Sequence, residues 1–188
     1  MSTSYTFSTF NENCSQGISQ ALYSIVPIDK PLVFMCIGSD LVLGDSLGPL
    51  VGTFLKKKNV GSFVYGSLSF PITAKEVEIA RKYLAKTHPN SCIIAIDAAI
   101  GNEDDVGLIR VVKQGLKPGL GVNKNLGTVG NISVIGVVAR KSVNNHNLFN
   151  LTRLNLIYNM AKNVSDGIEQ FLNNKNRIIE QNQRVFGT

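Results

Sequence analysis

Continuous apolar runs alternate along the chain with segments whose apolar residues recur at helical spacing. Residues 32–37 (LVFMCI) and 92–97 (CIIAID) are apolar almost throughout, which is typical of strands buried on both faces of a sheet. Between these runs, residues 46–58 and 73–87 carry apolar side chains every three or four positions and are predicted to be helices. Three further strands and two further helices are predicted at residues 62–66, 108–112 and 132–138 and at residues 18–26 and 147–175.

This alternation of strands and helices predicts an α/β fold. Helices that connect parallel strands cover both faces of the sheet, so we expect a three-layer α/β/α sandwich with a mostly parallel sheet. A chain of 188 residues with 44% hydrophobic residues suffices for one core, and we predict a single domain over residues 1–188. Residues 1–16 are expected to form a polar arm, loose or lying along a sheet edge, and residues 176–188 a frayed tail.

Composition excludes several classes of function. The net charge is +6, but the basic residues are scattered and only 7% of residues are aromatic, so nucleic-acid binding is not favoured over a solvated basic surface. An odd number of cysteines without a CxxC pair argues against a disulfide framework or a zinc site. No apolar run is long enough to span a bilayer, and the N-terminus lacks the pattern of a signal peptide, so we expect a cytoplasmic protein without a membrane partner.

The first candidate for chemistry is Asp45, in the loop GSDLVLGDSLGPLVG after the first buried run. This loop contains neither of the glycine-rich phosphate-binding motifs. Asp45 could simply cap the following helix. Pro49 favours another interpretation, because proline belongs in the first turn of a helix. If the helix begins at Ser46, the side chain of Asp45 is free to face a cleft.

The second candidate is Asp97, at the end of the second buried run. An aspartate there could merely start a turn. In the predicted fold, however, the strands that precede Asp45 and Asp97 are neighbours, and ligands of such sheets bind outside the carboxyl ends of the strands. Two carboxylates brought together cannot both ionise freely, so one keeps a proton towards neutral pH. The pair could act as base and acid on a water that attacks an amide, or hold a divalent metal.

Residues 117–127 (KPGLGVNKNLG) are too rich in glycine for an ordinary strand. We interpret them either as a lid or close backbone approach at the cleft, or as a plain flexible hairpin. Asn123 and Lys124 could donate hydrogen bonds to a peptide or an oxyanion. The predicted substrate-binding residues are therefore Asp40, Ser46, Gly119, Gly121, Asn123 and Lys124.

Other catalytic sets have less support. The chain has two histidines and no HExxH motif, so a zinc protease function is not favoured, and a serine hydrolase function is not favoured either. His88 lies at the end of a predicted helix, where a surface or capping role is expected. His146 follows the last predicted strand, and a place in the cleft is not favoured for it.

Three blocks, GDSLGPLVG around Asp45, IAIDAAIG around Asp97 and PGLGVNKN from Pro118, resemble the spore germination protease family, and especially its small sporulation relatives of the YyaC type. The resemblance implies an atypical aspartic endopeptidase, or a peptidase-like protein, on a phosphorylase/hydrolase-like α/β/α fold. It places Asp45 and Asp97 at the catalytic aspartates and implies no cofactor. The implied substrate is a peptide or a spore protein, in the cytoplasm of the mother cell or forespore, and self-association is left open.

Hydrogenase maturation proteases are a more distant resemblance and share the fold. Where that family has paired acids followed by glycine, this chain has Gly44, Asp45 and Ser46, and it shows no counterpart of their histidine ligand. A nickel-sensing role is therefore not favoured, and we predict no bound metal. A non-catalytic module that holds a peptide in the same cleft is the other alternative.

Overall fold

The central strands are built from the two apolar runs. The computed structural model describes residues 3–118, 127–141 and 152–186, with side chains to residue 181. Its strands are β1 Ser4–Ser8, β2 Leu32–Cys36, β3 Phe63–Tyr65, β4 Cys92–Gly101, β5 Leu108–Val112 and β6 Ile132–Arg140. Its α-helices are α1 Cys14–Ile25, α2 Leu47–Lys57, α3 Val77–Thr87 and α4 Leu154–Phe186.

The six strands form one mostly parallel sheet in the order β1-β5-β6-β4-β2-β3. The β3, β2, β4 and β6 strands run parallel to one another, while β5 and β1 are antiparallel additions at one edge. The predicted neighbours β2 and β4 are paired from Leu32 with Cys92 to Cys36 with Ile96. The α/β fold with a mostly parallel sheet is thus confirmed.

Helices cover both faces of this sheet. All five residues of β2 are buried, and alternate side chains point to opposite faces. Phe34 and Cys36 pack in one core cluster with α1, α2 and α4. Val33 and Met35 pack in a second cluster with α3. The long apolar stripe of α4 completes the first cluster with side chains that have no exposed area, namely Ile157, Ala161, Val164, Ile168 and Phe171.

The chain leaves β2 towards one edge of the sheet and leaves β4 towards the other, so the topological switch point lies between these two strands. From β2 the chain passes through α2 to the outer strand β3, and α3 then carries it back across the other face to β4. After β4 the chain continues towards β5 and β6, on the opposite side. Parallel sheets open a crevice at such a point, at the carboxyl ends of the two strands.

The polar arm lies along the sheet edge, which is one of the two arrangements expected for it. It forms β1, in which Tyr5 and Phe7 pack on the core while the serines face outward. The termini of several helices differ from the prediction. Helix α1 begins earlier than residue 18 and α3 later than residue 73. Helix α4 continues past residue 176 to Phe186, where a frayed tail was expected.

The cysteines agree with a further expectation. All three cysteines are free and buried, and those in the two central strands fill the core as predicted. In the part of the chain that the structure describes, no helix combines the length and the apolar character that crossing a membrane requires.

Candidate active site

Two glycines let α2 pack directly on the end of β2. A Cβ atom on Gly48 would lie 2.0 Å from the backbone oxygen of Ile37, and one on Gly38 would lie 2.0 Å from that of Asp45. Gly38 also has φ of 140°, which side-chain-bearing residues rarely adopt. The N–H of Ser39 donates to the backbone carbonyl of Asp45 at 3.0 Å. Asp45 is therefore fixed at the carboxyl end of β2.

Asp45 does not cap a helix with its side chain. It lies inside a short 3-10 helix, Leu43–Ser46, which leads directly into α2, and neither helix has a side-chain cap bond. Pro49 is the third residue of α2, in the first turn as predicted. The half-buried side chain of Asp45 is thus not used to cap either helix.

Asp97 lies within β4 and not at its end, so the predicted strand boundary is wrong. The strand continues to Gly101 because β6 pairs with it over that whole distance. Its partner β2 ends at Cys36, opposite Ile96. Asp97 is consequently the first residue of β4 beyond the pairing with β2, level with the point where the chain turns towards Asp45. The alternative that Asp97 starts a turn is also wrong, since Asp97 is paired with Ile135.

The environment of the two carboxyl groups raises both pKa values. Burial raises the pKa of Asp45 from its ordinary value of 3.8 to about 6, against a smaller opposing effect of the Ser39 amide. Burial also raises the pKa of Asp97 well above its ordinary value, and the negative charge of Asp45 raises it further. The Ala98 N–H, which donates to Asp97 Oδ1 at 2.9 Å, opposes this rise. The charge effect requires that the two side chains lie near each other.

The two groups therefore titrate in a defined order. Asp45 loses its proton first, near pH 6, and its charge then helps Asp97 to retain its own. Since the groups are coupled, these steps belong to the pair. A carboxylate that accepts a proton beside a carboxyl group that tends to keep its own is the arrangement that acid–base catalysis uses.

The ends of the glycine-rich segment lie on the sheet face that carries Asp97. Strand alternation puts Asp97 on the same face as Ala95, in the cluster that includes Leu116 and Val129. These last two residues form an antiparallel bridge. A Cβ atom on Gly130 would lie 3.1 Å from that of Ala95, so the chain packs closely against β4 at Gly130.

The other predicted site residues divide into three groups. Asp40 is exposed in the loop before Asp45, and Ser46 is buried, its hydroxyl donating to the Leu43 carbonyl at 2.7 Å. A substrate contact by either stays a prediction. His88 is the C-cap residue of α3, as expected, with Nε2 2.8 Å from the Tyr65 hydroxyl. Outside the described residues lie Gly119, Gly121, Asn123, Lys124 and His146.

Sequence patterns did not single out the exposed apolar residues Leu41, Phe70 and Ile79. Leu41 and Phe70 lie in loops, where periodicity gives no signal. Ile79 does lie off the predicted buried stripe of its helix, formed by Val77, Ala80 and Leu84, and this misfit is the signal that could have identified it.

Metal ligation and cavities give little beyond the aspartate pair. Over residues 3–118, 127–141 and 152–181, no three His, Cys, Asp or Glu side chains are grouped so as to hold a metal ion. A polar depression lined by Lys58, Gly61 and Glu169 lies at the far end of α2, away from the aspartates.

Fold and site together define an α/β/α protein with two aspartates of raised pKa at the switch point of its parallel sheet. The family described as "Protein of unknown function (DUF1256)" matches residues 6–167, and the chain belongs to that family. It is 41% identical over 140 residues to the "Uncharacterized protein YyaC" of Bacillus subtilis (strain 168), an alignment that covers 74% of this chain and 68% of that protein. The predicted likeness to the YyaC type is confirmed, whereas kinship with the germination protease stays a prediction.

Proposed function

We propose that this protein is a sporulation-associated aspartic endopeptidase in which Asp45 and Asp97 activate water against a peptide bond. The observation that carries the proposal is that both pKa values are raised, that of Asp45 to about 6 and that of Asp97 well above its ordinary value, in part by the charge of Asp45. Structural aspartates normally have lowered pKa values, since they are paired with cations or hydrogen-bond donors. The similarity to a Bacillus subtilis protein is what links the proposal to sporulation.

The order of titration assigns the roles. Asp45, ionised at neutral pH, takes a proton from water as the water oxygen attacks the carbonyl carbon. Asp97 gives its proton to the carbonyl oxygen, which yields a neutral tetrahedral intermediate. Asp45 then delivers the proton it gained to the leaving nitrogen, the C–N bond breaks, and Asp97 recovers a proton from the intermediate. Acid–base catalysis of this kind contributes about 10²- to 10⁴-fold in rate.

The predicted substrate-binding residues complete the proposed site. Asp40 and Ser46 belong to the loop and short helix that carry Asp45. Asn123 and Lys124, with Gly119 and Gly121, are proposed to supply donors and close backbone approach to the substrate.

The test compares cleavage of a spore-core protein extract by wild type, Asp45→Asn and Asp97→Asn. Asp104→Asn is the matched control, because Asp104 is an exposed acid outside the pair. Mass spectrometry of new N-termini should show cutting by wild type and the control, and a loss of about 100-fold or more in either pair variant. Equal cleavage by all four proteins would exclude the pair as the catalytic group.

Two other functions use the same crevice. A module that holds a peptide without cutting it is favoured by the exposed apolar side chain of Leu41, in the loop that carries Asp45, and it predicts binding of spore proteins that both pair variants retain. A divalent-cation site is favoured by the closeness of the two carboxyl groups. It predicts thermal stabilisation by Mn²⁺ or Ni²⁺ that Asp97→Asn abolishes.

A further inference from the structure

Strand β3 is a free edge of the sheet. It pairs with β2 on one side only, through Phe63, Val64 and Tyr65. Over residues 3–118, 127–141 and 152–186, no other backbone group bonds to these three residues. Exposed edge strands are usually shielded by a charged residue, a proline or a bulge. The sequence FVY of β3 has none of these, so its outer backbone groups can pair with another strand.

Aromatic side chains form one continuous surface beside this edge. The ring centroids of Phe63 and His88 lie 4.5 Å apart, and those of His88 and Tyr65 lie 5.6 Å apart. The Tyr65 hydroxyl is 2.8 Å from Nε2 of His88, and the ring of Tyr83 packs edge-on against Tyr65 at 6.0 Å. Ile79 lies one turn before Tyr83 on the same side of α3. We call these five residues the aromatic edge patch.

The aromatic edge patch is exposed, although its side chains are large and apolar. The exposed fractions are 58% for Phe63, 72% for Ile79 and 53% for Tyr83. A contiguous apolar surface marks a binding surface more strongly than scattered apolar residues do. At the opposite edge of the sheet, the exposed residues of β1 are small and polar, namely Ser4, Thr6 and Ser8. We therefore expect a partner to cover the β3 edge.

Charge favours a second copy of the chain as that partner. Residues 59–74, which include β3 and the segments on either side of it, contain no charged residue in a chain whose net charge is +6. On α3, the exposed Lys82 is paired with Glu78 at 2.9 Å. Two copies of β3 can therefore pair without like-charge repulsion between the strands. Interface cores that are poor in charge and rich in aromatic residues are typical of contacts between proteins.

The strand is also self-complementary. If two copies of β3 pair antiparallel about a two-fold axis at Val64, Phe63 of each copy lies opposite Tyr65 of the other, on one face of the joined sheet. Cross-strand aromatic pairs stabilise antiparallel ladders. The exposed parts of Phe63, Ile79 and Tyr83 amount to about 350 Å². This is more than half of the roughly 600 Å² that each copy buries in a small specific interface, which is the usual apolar share.

We propose that the β3 edge and the aromatic edge patch form the interface of a symmetric dimer of this chain, in which the two sheets join into one. In the sheet, β2 lies between β3 and the strand that carries Asp97, so the interface uses residues other than the aspartate pair. The inference does not depend on the proposed peptidase function.

Sedimentation equilibrium of the full chain, from about 1 µM to about 100 µM, tests the proposal. Wild type should reach twice the chain mass of 20.4 kDa. Phe63→Lys places a charge in the ladder and should weaken the dimer about 30-fold or more, as the loss of a central interface aromatic does. Phe10→Lys is the matched control and should leave the dimer intact, because Phe10 is 67% exposed and follows β1 at the other edge.

A cysteine tests the register of the two strands. Val64→Cys places two thiols opposite each other on the two-fold axis, with Cα atoms about 4.5–5.5 Å apart, a separation that a disulfide spans. Oxidised glutathione, itself reduced to two thiols, should convert this pair into one disulfide that links the two chains. Thr6→Cys, at an exposed position of β1, should form no such link. The three native cysteines are buried.

A wild type that stays monomeric at every concentration overturns the inference and leaves the edge to a different protein. A dimer that Phe63→Lys leaves intact, or that Phe10→Lys weakens equally, also overturns it. Circular dichroism checks that Phe63→Lys is folded. If it is not, Val64→Cys decides, and failure of Val64→Cys to link two chains rejects the proposed pairing.

Discussion

Replacing Asp45 by asparagine should make the protein more stable at neutral pH. The pKa of Asp45 is 3.8 in the unfolded chain and about 6 in the folded protein. Below pH 3.8 this group is protonated in both states and does not lower the free energy of unfolding. Between about pH 4 and pH 6 the unfolded chain releases the proton more readily than the folded protein, so stability falls as pH rises. Above pH 6 the loss of folding stability has reached its full size. Asparagine is nearly isosteric with aspartate and carries no charge at any of these pH values.

The size of the effect follows from the rise in the pKa of Asp45. A change from 3.8 to about 6 corresponds to about 3 kcal/mol at 1.36 kcal/mol per pKa unit. Asp45 is half-buried, and screening by solvent reduces the expected gain to about 2 kcal/mol. For a chain of this length such a gain raises Tm by roughly 4–8 °C.

Urea unfolding followed by circular dichroism at pH 8 and pH 4 measures this gain without adding salt. Asp45→Asn should be more stable than wild type at pH 8, and most of the difference should disappear at pH 4. Asp104→Asn, at an exposed site, should change little at either pH. If Asp45→Asn is less stable than wild type at pH 8, or if its gain in stability is the same at pH 8 and pH 4, burial does not destabilise the Asp45 carboxylate.

Three other properties can be measured on the same proteins. The pKa of Asp97, followed by ¹³C NMR of its carboxyl carbon, should fall in Asp45→Asn, because the charge that raises it is removed; an unchanged pKa would mean that the two groups are not coupled. Gly48→Ala should cost about 3 kcal/mol in urea unfolding, since its methyl group would meet the Ile37 carbonyl. Gly61→Ala meets no atom within 4 Å and bears only the strain of its φ of 67°, so a loss equal to that of Gly48→Ala would contradict the packing argument. The three buried thiols, whose pKa values burial raises, should react with Ellman's reagent at pH 8 only after unfolding, and rapid reaction of the native protein would contradict their burial.

Sequence periodicity predicted the centre of the sheet because these strands are buried on both faces. The runs at residues 32–37 and 92–97 contain almost no polar residue, which leaves a buried strand as the simplest structure. The edge strand β1 was less visible, since an edge needs apolar residues on one face only and Tyr5 and Phe7 are separated by polar neighbours. The end of β4 was mistaken for a similar reason. Its last residues are held by pairing with β6, a contact between distant segments that periodicity does not contain.

The pairing of Asp45 with Asp97 could be predicted from topology, although 52 residues separate them. Both follow apolar runs, and parallel strands bring such positions to one edge of a sheet. The strength of their coupling could not be predicted, because it depends on how closely α2 approaches β2. That approach is set by Gly38 and Gly48, whose role is visible only once the opposing backbone oxygens are placed.

These glycines connect the packing of the fold with the proposed chemistry. A side chain at Gly38 or Gly48 would separate the Asp45 turn from the end of β2, admit water to the carboxyl group and return its pKa towards 3.8. The close contact instead keeps Asp45 half-buried beside Asp97, at a cost in stability that a purely structural loop would have no reason to retain. A backbone this tightly closed is what we expect of a crevice in which a peptide displaces solvent from two carboxyl groups of raised pKa.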